Sequence, residues 1–376
     1  MTYAMPITGV ISMNRVLHVV DHLIPASGVA SVVMHLVNGV PEFTQDIAVY
    51  GECDKIIEQT VINCGGEVHP LPDVTLQLGK PFSKAYSELL QRVPYTIIHG
   101  HLMNSAFIYL REAKRVKIPG RIIHAHSALG ADTFVKRVRN KVLSMGVDRW
   151  ANSMVAVSNE ATHHAYGKKS GRVNICENGI DVNRFKFDEV VRQQVRSELG
   201  IANDVLCVGH VGRFAGLKNH TFLLDVFRAM SVHTHCLLLL VGEGYLEDEI
   251  KGMVQVAGLE ECVKFMGVKR DVERMYQAFD VFLLPSHSEG FGLAAVEAQC
   301  AGLGCVVSEY VPRVVECSKR IRFLPLGDSE LWAETALELA KQDRGDGSEM
   351  VRCAGLDTES MCNKFLHIYK QLTGGT

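Results

Sequence analysis

The chain has little of what would place it outside the cell, across a membrane or on nucleic acid. Its eleven cysteines are scattered and form no Cys-x-x-Cys pair, so neither a disulfide framework nor a zinc ribbon is predicted. No apolar run approaches the roughly 18 to 20 residues of a membrane span, so any membrane association is expected to be peripheral. The formal net charge of -3 gives no electrostatic reason to expect nucleic acid. We therefore predict a cytoplasmic protein, which is compatible with a position at the inner face of the plasma membrane.

Two further patterns are missing. The first thirteen residues lack the basic and long apolar regions of a secretory signal peptide. Neither half of the chain has a complete Gly-x-Gly-x-x-Gly after its first apolar run, which argues against a nicotinamide dehydrogenase. What remains is a chain of 376 residues, 47% hydrophobic and 22% charged, which indicates a globular protein of two domains.

Short apolar runs alternate with helical patterns, which is typical of parallel sheets joined by right-handed crossovers. A charged, helix-like stretch at 188–200 separates two series of such runs. The predicted fold class is therefore α/β, with two similar domains that divide near residues 180 to 200. The first series of predicted strands covers 15–20, 46–50, 96–99, 121–126 and 154–157. The second covers 205–211, 236–241, 262–265, 281–284 and 304–307, and terminal helices follow from about residue 344, the last at 360–372.

The most informative segment is residues 286–297, which read SHSEGFGLAAVE directly after an apolar run. Gly290 and Gly292 let the backbone approach a ligand closely, and the free N–H groups of a helix start attract phosphate. Glu289 and Glu297 flank this turn, where carboxylates can accept hydrogen bonds from ligand hydroxyls. Eight helical positions span about 12 Å, beyond the roughly 5 to 9.5 Å between glycosidase carboxylates. We interpret the pair as binding groups, the alternative being two solvated glutamates beside an ordinary turn.

Two other loops follow predicted strands, where open α/β sheets bind their ligands. Arg213 and Lys218 follow the run 205–211, and together they could neutralise a diphosphate. Two surface cations without a partner are the alternative. Gly28 opens a helical pattern after the run 15–20, so it could face a phosphate or an acceptor, although ordinary turn chemistry is the favoured interpretation of this loop taken alone.

Two histidine pairs have strand spacing. His124 and His126 alternate onto one face of a predicted strand, as do His99 and His101, so a metal pair is conceivable. No acidic or cysteine ligand lies nearby in sequence to complete either site. We therefore favour hydrogen bonding to a substrate for His126, which is nearest the loop, and structural roles for His99 and His124.

Residues 178–181 (NGID) lie at the hinge between the halves, where Asn-Gly predicts a turn with positive φ. Together with this segment, the motifs above resemble the retaining family 4 glycosyltransferases. In character the chain is similar to bacterial exopolysaccharide and capsule enzymes, and the resemblance covers nearly all of it. It implies the GT-B architecture, in which two Rossmann-like domains face a central cleft. On this basis 1–185 is expected to be the acceptor-side domain, 186–355 the nucleotide-sugar donor domain, and 356–376 a helix that packs back on the first domain.

The resemblance also implies roles for single residues. Arg213 and Lys218 would bind the donor diphosphate, Glu297 the ribose, and Glu289 the transferred sugar. Amides near Gly290, Phe291 and Gly292 would meet phosphate and sugar, His126 would lie near the sugar, and Gly28 matches the glycine-rich loop of the first domain. The family requires no metal, and the absence of an Asp-x-Asp motif agrees with this. The chain departs from the family at 27–30 (SGVA), where relatives often have Gly-Gly and a nearby glutamate, which weakens the assignment of acceptor contacts there.

The function predicted is transfer of a sugar, with retention, from a nucleotide-diphosphate sugar to a glycan or lipid-linked acceptor in bacterial surface polysaccharide biosynthesis. The donor is a substrate, and no cofactor is expected. A sugar-nucleotide epimerase of the same fold would use the same donor site but needs no acceptor. A catalytically silent binding protein is the second alternative, against which the four charged donor-site residues argue.

A basic amphipathic pattern at 133–147 is the candidate for membrane contact. Phe134, Val138, Val142 and Met145 share one side of a helical wheel, while lysines and arginines occupy the rest. A buried amphipathic helix with solvated cations is the favoured interpretation of this pattern.

Overall fold

Residues 14–25, 27–74, 79–127 and 146–374 are described by the structure, which is a computed structural model. The first half builds a seven-stranded parallel sheet in the order β3-β2-β1-β4-β5-β6-β7. Its strands are β1 (Arg15–Val20), β2 (Thr44–Val49), β3 (Val68–Pro70), β4 (Ile97–Gly100), β5 (Gly120–Ala125), β6 (Ser153–Ala156) and β7 (Val173–Ile175).

The second half builds a six-stranded parallel sheet in the order β10-β9-β8-β11-β12-β13. Its strands are β8 (Leu206–Val211), β9 (Cys236–Val241), β10 (Val263–Gly267), β11 (Val281–Leu284), β12 (Gly304–Ser308) and β13 (Ile321–Leu324). In each sheet the chain reverses its direction of winding beside the first strand, which is the point where ligands of doubly wound sheets bind. The predicted α/β class with two Rossmann-like domains is confirmed.

Helices cover both faces of the sheets. Those of the first half are α1 (Gly28–Gly39), α2 (Lys55–Asn63), α3 (Lys80–Arg92), α4 (Ala106–Arg115) and α5 (Asn159–Tyr166). Those of the second half and the terminus are α6 (Val182–Phe185), α7 (Glu189–Glu198), α8 (His220–His233), α9 (Glu247–Val256), α10 (Val272–Ala278), α11 (Leu293–Cys300), α12 (Ser329–Ala340), α13 (Ser348–Cys353) and α14 (Thr358–Thr373). Among the described residues no helix is both long enough and apolar enough to cross a membrane.

Side-chain caps fix several helix starts close to strand ends. Ser27 accepts a hydrogen bond from the amide of Ala30 at the start of α1, and Ser158 does the same for Ala161 at α5. Asp54 and Asp188 cap α2 and α7 in the same way. Such caps satisfy amides that have no partner within the helix, so they determine where the chain leaves each loop.

A shared apolar core holds the two sheets against each other. One cluster of buried residues runs from Ala125 and Val157 at the ends of β5 and β6 to Phe291 and Ala295 at the start of α11. The terminal helix α14 packs against α1 and the first sheet, where Phe365 and Tyr369 are fully buried. As a result, the strand ends of one sheet face those of the other.

The ten predicted strands are all present, with ends that shift by up to two residues. His126 lies just past β5 instead of inside it, and β3, β7 and β13 were not predicted. The expected positive φ at Asn178-Gly179 was wrong. Gly179 has no positive φ, and its missing side chain instead allows the carbonyl of Asp357 to approach closely. The amphipathic pattern at 133–147 lies outside the described residues except for its last two positions.

Candidate functional site

Two loops of the second sheet meet in a salt bridge. Lys218 ends a short turn after β8, and Glu289 lies on the turn after β11. Lys218 Nζ lies 2.6 Å from Glu289 Oε1, and the side chains are only 20% and 12% exposed. The hydroxyl of Ser286 donates to the same carboxylate oxygen at 2.6 Å. The pair is thus held in a fixed position at the carboxyl edge of the sheet, because β8 and β11 are neighbours.

The glycine turn before α11 brings the two halves into contact. Gly292 has a φ of 102°, a left-handed conformation that favours glycine, and it ends the turn as the residue before the helix. A Cβ at Gly290 would collide with the carbonyl oxygen of His126 across the cleft. Ser158 Oγ donates to the carbonyl of Gly290 at 2.7 Å. The turn is therefore positioned by the first sheet as well as by its own strand.

Gly28 lies opposite the start of α11. A Cβ built on Gly28 would stand 3.7 Å from Leu293 Cδ1, an ordinary contact distance. The first loop and His126 therefore border the same cleft as the glycine turn, because Gly28 approaches Leu293 and His126 approaches Gly290.

Glu297 is separate from the Lys218 pair and belongs to a different environment. It lies in α11, where its Oε2 accepts a hydrogen bond of 2.7 Å from the hydroxyl of Tyr276 in α10. Burial raises the pKa of Glu297, and the Tyr276 hydrogen bond opposes that shift. Tyr276 itself is fully buried, so its hydroxyl is held in a fixed position.

Arg213 is exposed in the loop that leads from β8 to Lys218. The backbone of that loop is anchored on the loop after β9, since Phe214 exchanges hydrogen bonds of 2.8 and 3.1 Å with Glu243 and Leu246. A Cβ at Gly244 would collide with the backbone of Phe214, so glycine there permits the close approach. The guanidinium is therefore carried on a backbone that is fixed beside the Lys218 pair, while the side chain reaches solvent.

Five histidines lie together in the centre of the first sheet. His99, His101, His124 and His126 come from β4, β5 and the residues just after them, and His18 joins them from β1. Nitrogens of two trios lie within 4.8 Å of one another, and both trios contain His101. The rings are mostly stacked or tilted, with centroids 4.0 to 5.6 Å apart, and most nitrogens pair in hydrogen bonds.

The structure brings most of the predicted site residues to one cleft and also adds residues that sequence reasoning missed. Lys218 and Glu289 pair directly, while Glu297 has its own tyrosine partner. Ser286 and Ser158 were not assigned roles, although both follow strand ends, the rule that found the other residues. Tyr276 and His18 gave no such signal, since one lies inside a helix and the other inside a buried strand.

Two family models match most of the chain. Residues 26–184 match the model described as Glycosyltransferase Family 4, and residues 204–342 match Glycosyl transferases group 1. The chain is a family 4 glycosyltransferase. As an enzyme it therefore belongs to the transferases that move sugars, and the predicted family is confirmed.

Relatives support this assignment over nearly the full length. A Bacillus subtilis (strain 168) protein assigned as the glycosyltransferase EpsF is 26% identical over 373 residues, which is 95% of this chain and 97% of the relative. An Escherichia coli UDP-Gal:alpha-D-GlcNAc-diphosphoundecaprenol alpha-1,3-galactosyltransferase is 24% identical over 59% of each chain. The glycosyltransferase is thus similar to enzymes of polysaccharide biosynthesis.

Solved structures share the fold. HepE from Anabaena, in complex with UDP and glucose, superposes with a TM-score of 0.80 at 19% identity and covers 95% of this chain and all of its own. WaaG, a glycosyltransferase of lipopolysaccharide biosynthesis, gives a TM-score of 0.72 at 17% identity over 96% of this chain and all of its own. These similarities confirm the GT-B arrangement of the two sheets.

Proposed function

We propose that this glycosyltransferase moves a sugar from a nucleotide-diphosphate sugar to a glycan or lipid-linked acceptor, with retention of anomeric configuration. The observation that carries the proposal is the Lys218–Glu289 pair, held at 2.6 Å on the rim of a cleft whose other wall is His126. A cation and a carboxylate side by side are complementary to a diphosphate joined to a hydroxyl-rich sugar. The glycine turn beside them offers helix-start amides to the same ligand.

Each part of the donor would meet a different element. Lys218 and Arg213 would bind the diphosphate, Glu289 the sugar hydroxyls and Glu297 the ribose. The last assignment is supported by the Tyr276 hydrogen bond, which fixes one carboxylate oxygen and leaves the other for a vicinal diol. The remaining contacts would come from the amides near Gly290, Phe291 and Gly292, from His126, and from Gly28 across the cleft.

The reaction would depend mainly on stabilising the leaving group. The bond from the anomeric carbon to the diphosphate breaks, the bond to the acceptor oxygen forms on the same face, and the proton of the acceptor hydroxyl passes to an oxygen of the departing diphosphate. Negative charge grows on the diphosphate, where Arg213, Lys218 and the helix-start amides act, and such preorganised charge is usually the largest contribution to catalysis. We propose that these protein groups suffice and that no metal ion is required.

The acceptor side is the first sheet and its loops. The Escherichia coli relative is named for a diphosphoundecaprenol-linked acceptor. This supports a lipid-linked saccharide as acceptor and peripheral contact with the inner face of a membrane. HepE has been solved with UDP-glucose bound, and UDP-glucose is therefore the first donor to test.

Donor binding followed by product analysis tests the proposal. A panel of nucleotide sugars that begins with UDP-glucose is screened for a rise in melting temperature, because a ligand of the native state stabilises it. The donor that binds is then supplied with and without a saccharide acceptor. We expect a disaccharide linkage of unchanged anomeric configuration only when acceptor is present, whereas an isomerised donor formed without acceptor would contradict transfer.

Replacing Arg213 tests the role of the diphosphate site. Arg213→Ala is expected to lower kcat by about 100-fold or more, the loss typical of one charge-stabilising group, while its melting temperature stays near that of the wild type because the side chain is exposed. Arg228→Ala, which removes an equally exposed arginine from α8, is the matched control. Wild-type transfer by Arg213→Ala would overturn the assignment.

A further inference from the structure

A chain of hydrogen bonds runs from the interior of the first sheet to the cleft. Gln45 Oε1 lies 2.6 Å from His18 Nε2, His18 Nδ1 lies 3.0 Å from His101 Nε2, and His101 Nδ1 lies 2.9 Å from His126 Nε2. All four residues come from or just after strands β1, β2, β4 and β5. The first three side chains are buried, and the last lies beside Gly290.

The orientation of Gln45 gives this chain a direction. Its amide nitrogen lies 2.5 Å from the carbonyl of Leu36 and 3.3 Å from that of Val40, and both carbonyls can only accept. Gln45 Oε1 must therefore face His18 as an acceptor. Consequently His18 donates from Nε2.

Each of the three histidines in this hydrogen-bond chain carries a single ring proton. Burial lowers the pKa of His18 to about 4 and that of His126 to about 3, and it lowers the pKa of His101 well below the ordinary value. A neutral imidazole has one donor and one acceptor nitrogen. His18 donates to Gln45 from Nε2, so its Nδ1 accepts from His101 Nε2. His101 Nδ1 then accepts from His126 Nε2.

We propose that Gln45, His18 and His101 are positioning residues that fix His126 in its Nε2–H tautomer and present its bare Nδ1 to the cleft as an acceptor for a hydroxyl of the donor sugar. His126 Nδ1 has no hydrogen-bond partner in the part of the chain that the structure describes. The sugar contact depends on the proposed function, but the tautomer lock does not. It rests on the orientation of Gln45, on three distances and on the neutral state of the buried rings.

The neighbouring histidine chain lacks such a direction. Tyr369 OH lies 2.8 Å from His99 Nδ1, and His99 Nε2 lies 3.3 Å from His124 Nδ1. A tyrosine hydroxyl can donate or accept, so either proton order satisfies these contacts. His124 Nε2 ends this second hydrogen-bond chain, buried and without a partner among the residues that the structure describes. The two hydrogen-bond chains lie side by side, so the second serves as an internal control for the first.

The tautomer lock has a consequence for specificity. A bare neutral nitrogen accepts a hydrogen bond from a hydroxyl but has no N–H to donate to a carboxylate. The site is thus expected to favour a sugar with a hydroxyl at this position over one with a carboxylate, because an unpaired lone pair against a carboxylate loses a hydrogen bond and adds repulsion. We therefore expect Gln45, His18 and His101 to disfavour a negatively charged sugar, although none of them contacts it.

Nuclear magnetic resonance of the ring nitrogens tests the lock on the full chain without any ligand. The protein is labelled with nitrogen-15 at its 16 histidines, and signals are assigned through single His→Gln variants. We expect His18, His101 and His126 all to carry hydrogen on Nε2 and none on Nδ1 at pH 7. Hydrogen on His126 Nδ1, exchange between its two tautomers, or nitrogen shifts that reveal a bound metal would each overturn the proposal.

Variants of His101 and Gln45, the middle and the first residue of the hydrogen-bond chain, distinguish a positioning role from a packing role. His101→Phe keeps a ring but removes both links, so His126 is expected to populate both tautomers. His99→Phe removes the ring stacked 4.3 Å from His101 and should leave the His126 tautomer unchanged. Gln45→Glu keeps an acceptor oxygen and should preserve the lock even if stability falls. An unchanged His126 signal in folded His101→Phe would contradict the role of His101.

Addition of UDP-glucose, with UDP as control, tests the sugar contact. We expect UDP-glucose but not UDP to shift the His126 Nδ1 resonance, and we expect His101→Phe to weaken UDP-glucose binding roughly five- to tenfold with little effect on UDP, as for loss of one hydrogen bond. Binding of UDP-glucose without a shift would refute the hydroxyl contact while leaving transferase function intact. If neither UDP-glucose nor UDP binds, the proposed donor is wrong. The ligand-free spectrum would still show whether His126 is fixed in its Nε2–H tautomer.

Discussion

At the scale of single residues, the charged side chains of the proposed donor site are held by different partners. Lys218 and Glu289 share one salt bridge across two loops, and Ser286 keeps the carboxylate in place. Glu297, eight positions further on, is held by Tyr276 instead. The two glutamates thus have separate supports, which agrees with binding two different parts of one ligand.

The Tyr276 hydroxyl offers a test of that separation. Tyr276→Phe removes the 2.7 Å hydrogen bond to Glu297 and keeps the ring, so the carboxylate loses its orientation. We expect the KM for the donor to rise roughly three- to tenfold with kcat nearly unchanged, and the free energy of unfolding to fall by about 1 to 2 kcal/mol. Steady-state kinetics and urea unfolding measure these quantities.

Tyr109→Phe is the matched control for that substitution. Tyr109 is also fully buried and donates to the carbonyl of Leu102 at 2.8 Å, but it lies in the first sheet's helix layer, in α4. It should lose a comparable amount of stability with no change in KM. Equal effects of both variants on KM would show that Tyr276 acts only through the general stability of the fold.

At the scale of elements, the sequence predicted the buried central strands but missed three of the four edge strands of the two described sheets, and found only β10 among them. Central strands such as Cys236–Val241 are unbroken apolar runs because helices cover both of their faces. The missed strands at Val68–Pro70, Val173–Ile175 and Ile321–Leu324 are three or four residues long and contain proline, asparagine or arginine. Edge strands need few apolar residues, so no periodic pattern marks them.

The same reason explains which site residues could be predicted. Residues just after strand ends are adjacent in sequence to a recognisable run, and this rule found Lys218, Glu289 and His126. The chain from Gln45 to His126 depends on the pairing of β1 with β2 and β4. That register is set by contacts between residues more than twenty positions apart, which a single sequence does not display. His18 inside β1 was missed for this reason.

The histidine cluster makes the first sheet sensitive to mild acid. Burial keeps the pKa of all five histidines below the value of 6.5 that they recover when the chain unfolds. Below pH 6.5 the unfolded chain therefore binds more protons than the native one, so stability falls as pH falls. Each histidine contributes about 1.4 kcal/mol per pH unit. Hydrogen exchange of β1, β4 and β5 amides between pH 7.5 and 5 should report this loss.

Two substitutions calibrate that pH dependence. His124→Phe removes a ring whose Nε2 has no partner within the described ranges, so it should reduce the slope by about one proton. His233→Gln, which removes an exposed histidine of α8 outside the cluster, is the control for loss of a histidine as such. Stability that stays constant from pH 7.5 to 5 would mean that the native cluster accepts protons as readily as the unfolded chain does.

At the scale of the whole molecule, one ion pair joins a loop of the second half to a helix start of the first. Arg270, which follows β10, pairs with Asp54, the residue that caps α2. The guanidinium lowers the pKa of Asp54 to about 2. Asp54 also accepts hydrogen bonds from the backbone amides of Ile56 and Ile57. Arg270 therefore pairs with a carboxylate that the start of α2 already holds in place.

This ion pair is expected to favour the closed arrangement of the domains. Arg270→Ala should increase the radius of gyration measured by small-angle X-ray scattering, because one of the polar contacts between the halves is lost. Arg274→Ala, which breaks an exposed pair with Glu198 inside the second half, should not. Added salt screens exposed charges, so 1 M NaCl should bring the wild type towards Arg270→Ala. If the wild type and Arg270→Ala scatter identically at low salt, closure is governed by the apolar contacts around Phe291 and Gly290, and the ion pair is a consequence of closure and not its cause.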